Sequence, residues 1–333
     1  MPARLRDVAE HAGVSVRTVS NVVNGFRYVA PETRARVQAS IDELGYRPNL
    51  AARTLRRSRT GLVSLVVPEI DSPYFAELAA RTVRVAQRRG LTVLIDQTDG
   101  DPERERLLLH GKRSQLVDGV LFSPWTVAPA DVAARTDTVP LVLLGEHDSP
   151  DQLRVDHVAI DNVAAARAAT AHLLATGRRR IAALGVQPSI FNATARQRLL
   201  GYHQALSSAG VPVAPELERP VRTLHRADGH RAMLELLDLP EPPDAVFCFT
   251  DELALGAMRA AADRDVRVPD AVSVVGFDDI EDGRYSVPAL STVSPDKDGI
   301  AELALDCLAT QPDDPHTGRS IVAPHRLLVR ATS

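Results

Sequence analysis

Arginine is the residue with the most chemistry to offer at the start of this 333-residue chain. The first 60 positions hold eleven arginines, no lysine and five carboxylates (Asp7, Glu10, Glu32, Asp42 and Glu43), a formal charge of +6. The whole chain carries −4, so the remaining residues carry −10. Guanidinium groups at this density suit phosphate oxygens. A basic head on an acidic body points to a head that meets a polyanion and a body with another task. Residues that do covalent chemistry are scattered. No GxSxG, HExxH, GxGxxG or phosphate-loop segment is present. His225 and His230 stand five apart, off the spacing of one helix face. Asp99 to Glu105 lacks calcium-loop spacing and reads as a loop leading into a charged helix face. Cys248 and Cys307, without spacing pattern, exclude a disulfide framework and a cysteine-based zinc site. No cofactor is called for, and an enzyme reading finds no nucleophile.

The elements that must position the arginines are helices. Val8, Ala9 and Ala12 share one face of a short helix from Asp7 to Ala12, and Gly13 permits a tight turn because glycine enters positive φ cheaply. Ser15 suits the N-cap of a second helix, Val16 to about Val23, with Asn24-Gly25 as its end. Pro31 suits the first turn of a third helix, with Val37, Ile41 and Leu44 at helical spacing and Gly45 as its stop. That is a helix-turn-helix. Pro48 ends the preceding element, and Asn49 can cap a helix over Leu50–Arg56, too short to be stable alone. From Gly61 onward, β-branched runs (Leu62–Val67, Thr92–Ile95, Gly119–Phe122, Leu141–Leu144, Arg180–Leu184, Ala245–Phe249, Val272–Val275) alternate with amphipathic stretches. These stretches are Tyr74–Arg89, Val163–Thr176, Ala195–Ser208, Leu253–Asp263 and Lys297–Ala309. The alternation predicts parallel sheets flanked by helices. Apolar residues are 44% and charged residues 25%, a globular composition. No apolar run reaches the ~18 residues of a membrane span, and the N-terminus lacks the apolar stretch of a secretory signal, so a cytoplasmic location is expected.

LRDVAEHAGVSVRTVSNVVNG, VAPETRARVQASIDELGYRPN and AARTLR together closely resemble the lactose-repressor (LacI/GalR) family of bacterial transcription regulators. The resemblance implies that the second helix enters the DNA major groove. Val16 and Arg17 open that helix and Asn21 lies one turn on. Arg can pair with guanine, Asn with adenine, and Val with a thymine methyl. Many members carry Arg where Asn21 stands, which implies an altered base preference. Thr18, Ser20, Tyr28 and Thr33 correspond to phosphate-positioning residues, which can also serve as caps and packing, and Leu5 and Ser15 complete the implied contact set. In the hinge, Leu55 corresponds to a minor-groove wedge, Ala52 allows close approach, and Arg53 and Arg56 contact phosphates, as do Arg57 and Arg59. A body contact is the alternative for Leu55.

The resemblance continues in VVPEIDSPYFAEL, DGDPERE, VDGVLFSP, VAIDN, HLLATGRRRIAALG, RQRLLGYHQAL, FTDELALGAMRA and VSVVGFDD. It implies an α/β chain: an N-terminal helix-turn-helix DNA-binding domain (1–46), a hinge (47–60) and a two-lobed, periplasmic-binding-protein-like core with parallel sheets (61–333). Lobe 1 is expected at about 61–161 and 293–320, and lobe 2 at about 162–291 and 321–333, with crossings near Asp161, Thr292 and Ile321. Effector contacts are implied at Ser72, Tyr74, Phe75, Ser123, Trp125, Glu146, Asn192, Thr194, Arg198, Leu224, Thr250 and Asp278. Tyr74 and Phe75 could equally just begin a helix, and Asp278 and Asp279 could cap a local turn. Gly145-Glu146 replaces a common Asp-Arg, and Leu224 stands where some relatives carry an aromatic. The implied function is a homodimeric repressor on a near-palindromic double-stranded operator, controlled by a small sugar-like ligand, with no membrane partner. A purine-like or sugar-phosphate effector, either sign of response, and a cytoplasmic solute-binding protein are the alternatives. Affinity for a palindromic duplex is expected to fall steeply between ~50 and ~200 mM salt, because arginines displace condensed counterions. A flat response in an anisotropy titration would contradict the role given to the head.

Overall fold

The computed structural model describes residues 3–23, 26–46, 60–110, 116–145, 155–187, 193–310 and 318–333. The chain divides into two compact units, Met1–Thr60 and Gly61–Ser333. In the first, α1 (Leu5–His11), α2 (Val16–Val23) and α3 (Pro31–Glu43) enclose Val8, Ala9, Ala12, Val19, Val22 and Val37. These apolar positions recur three and four residues apart, so the core follows the helical period. Gly13 takes φ +63° in the α1–α2 turn. The Thr18 N–H donates to Ser15 Oγ at 3.1 Å, which caps α2. The expected helix end at Asn24-Gly25 lies outside the described residues. So does nearly all of the hinge, including Ala52, Arg53, Leu55, Arg56, Arg57 and Arg59.

The second unit begins with β1 (Leu62–Val67), α4 (Pro73–Arg88), β2 (Thr92–Gln97), α5 (Pro102–His110), β3 (Gly119–Phe122), α6 (Pro129–Ala133), β4 (Leu141–Leu144) and β5 (Asp156–Ile160). It continues with α7 (Asn162–Ala175), β6 (Ile181–Val186), α8 (Ala193–Ser208), β7 (Glu218–Pro220), α9 (Arg226–Leu237), β8 (Ala245–Cys248) and α10 (Asp251–Asp263). Then come β9 (Ser273–Phe277), α11 (Glu281–Tyr285), β10 (Ser291–Pro295), α12 (Lys297–Ala309), β11 (Ser320–Ala323) and β12 (His325–Leu328). One six-stranded sheet has the order β11-β5-β4-β3-β1-β2 and the other β12-β10-β9-β8-β6-β7. All neighbours are parallel except β12, which runs antiparallel to β10. β4, β5, β8 and β9 are buried along their whole length, as strands covered by helices on both faces must be.

Strand pairing corrects two of the expected crossings. Thr292 lies inside β10, paired with Gly276 of the second sheet, so the chain returns to the first lobe only at Asp296. Ile321 lies inside β11, paired with Val158 of the first sheet, so the last crossing is at Pro324. The first crossing runs through Asp161, between β5 and α7. Lobe 1 therefore comprises 61–160 and 297–323, and lobe 2 comprises 162–295 and 325–333. Asp161 and Asp296 each cap the helix they lead into, accepting from Ala164 N at 2.8 Å and Gly299 N at 3.0 Å.

In lobe 2, α9 and α10 touch backbone to backbone. A Cβ on Gly256 would sit 2.0 Å from the Arg226 carbonyl oxygen, and one on Gly229 would sit 2.2 Å from that of Leu253. Neither neighbour is a flexible side chain, so the helices must part if either glycine grows. Gly256→Ala is expected to destabilise the protein by about 1–3 kcal/mol through overpacking, read as a lower urea midpoint. An unchanged midpoint would mean that the helix pair separates without cost.

Candidate nucleic-acid interface and ligand cleft

Packing of the head decides which side of α2 is presented. Val19 and Val22 face the core, while Val16 and Arg17 are exposed, and Thr18, Ser20 and Asn21 are half-buried. Arg17, Ser20 and Asn21 recur at three- and four-residue spacing and so share one helix side. Thr18 Oγ1 lies 2.9 Å from Ser15 Oγ, so this hydroxyl serves the cap. Tyr28 is 72% exposed, with its hydroxyl accepting from Arg27 at 2.6 Å. Thr33 is half-buried in the first turn of α3. Leu5 packs against the head's core, so its side chain serves the fold. The arrangement offers a guanidinium and a carboxamide side by side, the two groups best suited to purine edges in a major groove.

In the second unit, the carboxyl ends of the strands from both sheets border one cavity of about 1010 Å³, its open mouth included. Open α/β sheets place ligand sites at such ends. From lobe 1 the cavity receives Ser72, Tyr74 and Phe75 after β1, and Ser123 and Trp125 after β3. From lobe 2 it receives Thr194 and Arg198 of α8, Leu224, Thr250 and Asp278. Ten expected contacts thus line one space, while Glu146 and Asn192 lie outside the described residues. Gly145 borders the cavity too. Tyr74, Phe75 and Trp125 form an aromatic wall, with ring centroids 5.1 Å apart for Tyr74–Phe75 and 6.4 Å for Phe75–Trp125.

Arg198 is 7% exposed and held on several sides. Its Nε donates to Asn162 Oδ1 at 2.7 Å and Nη1 to the Phe249 carbonyl, and its guanidinium carbon lies 3.5 Å from the Phe277 ring centroid. Nη2 stands 3.9 Å from Asp278 Oδ1, longer than a hydrogen bond. The neighbouring Asp279 has a different task. It accepts from Arg330 at 2.6 Å, Arg284 at 2.9 Å and Ser294 at 3.0 Å. Burial pushes its carboxyl up, but these hydrogen bonds outweigh that and hold it below the usual range. Asp251, fully buried, takes Thr292 Oγ1 at 2.6 Å and Ile280 N at 2.9 Å. Burial, with the nearby Asp278 charge, pushes it well above the usual carboxyl range.

Among the titratable residues of the cavity, sequence reasoning missed three, Glu69, His225 and Glu252. His225 Nε2 lies 3.4 Å from Glu69 of lobe 1, and its Nδ1 lies 3.5 Å from Glu252 of lobe 2. Burial raises the Glu69 carboxyl above its ordinary value, against the pull of His225. His225 directly follows Leu224, and Glu252 stands two residues beyond Thr250 in the first turn of α10. Among the described residues, no group of three or more His, Cys, Asp and Glu side chains could hold a metal ion, and no helix is long and apolar enough to cross a membrane.

Residues 4–49 match the family described as "Bacterial regulatory proteins, lacI family". Residues 170–333 match "Periplasmic binding protein-like domain". The chain is 32% identical over 310 residues to the HTH-type transcriptional repressor PurR of Haemophilus influenzae (strain PittEE), covering 92% of this chain and 90% of that one. It is 33% identical over 315 residues to the ribose operon repressor of Escherichia coli (strain K12), covering 93% and 94%. Among solved structures it resembles the lac repressor dimer bound to operator and the anti-inducer ONPF, with a TM-score of 0.86 at 29% identity, covering 100% of this chain and 99% of that one. With both units matched and relatives aligned along nearly its whole length, the chain belongs to the lacI family of bacterial DNA-binding transcriptional regulators.

Proposed function

We propose that the protein represses transcription as a homodimer on a near-palindromic operator, and that its cleft binds a sugar or sugar derivative that sets operator affinity. The observation that carries the effector assignment is the Arg198–Asp278 pair. At 3.9 Å the two groups form an ion pair at the cavity wall, longer than a hydrogen bond. A ligand hydroxyl placed between them accepts from the guanidinium and donates to the carboxylate, which is the recognition a polyol needs. The Tyr74–Phe75–Trp125 wall supports the apolar face of a sugar ring and equally admits a flat purine-like ring, the second reading. Glu69, Glu252 and Asp278 set three carboxylates against Arg198 and His225 around the cavity, which weighs against a sugar phosphate. In the head, Arg17 and Asn21 are the proposed base readers. Ligand-driven change in lobe closure is the proposed route from cleft to operator.

A thermal-shift screen of sugars and nucleobases tests the effector class, since a ligand at 100 times its Kd adds ~2.7 kcal/mol of stability. Arg198→Ala is expected to weaken the ligand that responds by roughly 10–150-fold, the worth of a charge-assisted hydrogen bond. Operator affinity without ligand should hold. Undiminished calorimetric affinity in the folded variant would remove Arg198 from the site. Asn21→Arg is expected to change preference at one symmetric base pair by ~1–3 kcal/mol per half-site. Identical motifs selected from a random pool by both proteins would mean that Asn21 reads no base.

A further inference from the structure

We propose that Glu105 is a positioning residue for the cleft: its buried carboxylate fixes the loop after β3 so that Trp125 forms part of the cavity wall. The sequence pattern put Glu105 at the end of a loop leading into a charged helix face, but the residue lies in α5 and its side chain is 0% exposed. It does not line the cavity, and it takes four hydrogen bonds. Oε1 accepts from Trp125 N at 2.9 Å and Thr98 Oγ1 at 3.3 Å. Oε2 accepts from Thr126 N at 2.8 Å and Thr126 Oγ1 at 2.6 Å. Thr98 Oγ1 itself accepts from Gly100 N at 3.3 Å, which leaves its proton for Glu105.

A carboxylate meets backbone N–H donors with both oxygens. A glutamine has the same shape but one acceptor oxygen, so its amide nitrogen must face a donor on one side. The indole is also held from behind. A Cβ on Gly100, which has φ +64°, would lie 2.7 Å from Trp125 Cε3, so the ring packs on bare backbone. Phe75 flanks it. Glu105 below, Gly100 behind and Phe75 beside leave Trp125 presented to the cavity before any ligand arrives. Preorganisation of this kind lowers the ordering cost of binding. The proposal rests on the cleft being the effector site, but its geometric content does not.

Trp125 is the only tryptophan, so indole emission reads this loop alone. In the full chain, Glu105→Gln is expected to move the emission to longer wavelength and to increase quenching by acrylamide, with far-ultraviolet circular dichroism unchanged. Thr126→Val removes one of the four donors and keeps the backbone. It is expected to shift both readouts the same way by less, and it carries the test if the glutamine variant does not fold. Parental emission and quenching in a folded variant would overturn the proposal, even with a lowered melting temperature, because Glu105 would then serve only the packing of α5. No ligand enters this measurement, so an unresponsive effector screen leaves the result standing.

Discussion

One buried ammonium group holds the two walls of the cleft in register. Lys297 is 4% exposed, and its Nζ donates to Glu77 Oε2 at 2.8 Å and to the Asp279 carbonyl at 3.1 Å. Glu77 belongs to α4 of lobe 1, and Asp279 to the loop after β9 in lobe 2. Glu77 Oε1 also accepts from Glu281 N at 2.9 Å, so the carboxylate itself spans the lobes. An unpaired charge at this depth would cost several kcal/mol, so the contact constrains both lobes. The helix it grips carries Tyr74 and Phe75, and the loop it grips follows Asp278. The crossings beside it are tied together, with Asp296 N donating to the Pro324 carbonyl at 3.0 Å. Any change in lobe closure has to stretch or remake these bonds.

Adjacent carboxylates in this region do opposite work, decided by their partners. Asp279 is saturated by two arginines and a serine, and it anchors the end of β9 to the segments around Arg284 and Arg330. Asp278, one residue earlier, borders the cavity opposite Arg198. Both have positive φ, +114° and +50°, a backbone that turns successive side chains to opposite duties at some cost in strain. Asp251 lies fully buried among them, and burial together with the Asp278 charge raises its pKa against the pull of Lys297, while the hydrogen bonds from Arg330 and Arg284 lower that of Asp279.

The parts of the fold legible in the sequence were those with a strong period or continuous apolar character. β1, β3 and β4 coincide with apolar runs because both of their faces are covered by helices. β7 (Glu-Arg-Pro) and β11 pair at or near sheet edges, where half-exposed residues leave no such trace. α9 escaped notice because Asp228 and Gly229 interrupt its buried face; the structure buries Gly229 against Leu253, so an apparent helix breaker is a packing residue. The head was readable through its turn glycine and Ser15 cap. Cleft residues 72–75, 123–125 and 278 could be named through the family resemblance, yet no local pattern joins positions 69, 225 and 252. Two sheets must face each other before they meet. Glu105 failed for a related reason: a run of alternating charge looks solvated until the loop that buries one member is known.

The three crossings also set an order of assembly on the ribosome. β5 pairs at its outer side with β11, which is synthesised only after all of β6 to β10 has been made. The helix α12 that packs against lobe 1 is equally late. Lobe 1 therefore leaves the exit tunnel with an open sheet edge and an uncovered apolar face while the intervening lobe is being translated. Lobe 2 in turn waits for β12, the strand that closes it beside β10. Both lobes are completed within the same short stretch, 320–328, the first by β11 and the second by β12. An unpaired strand edge exposed for that interval is a template for aggregation, and nascent-chain chaperones are the factors that cover such edges.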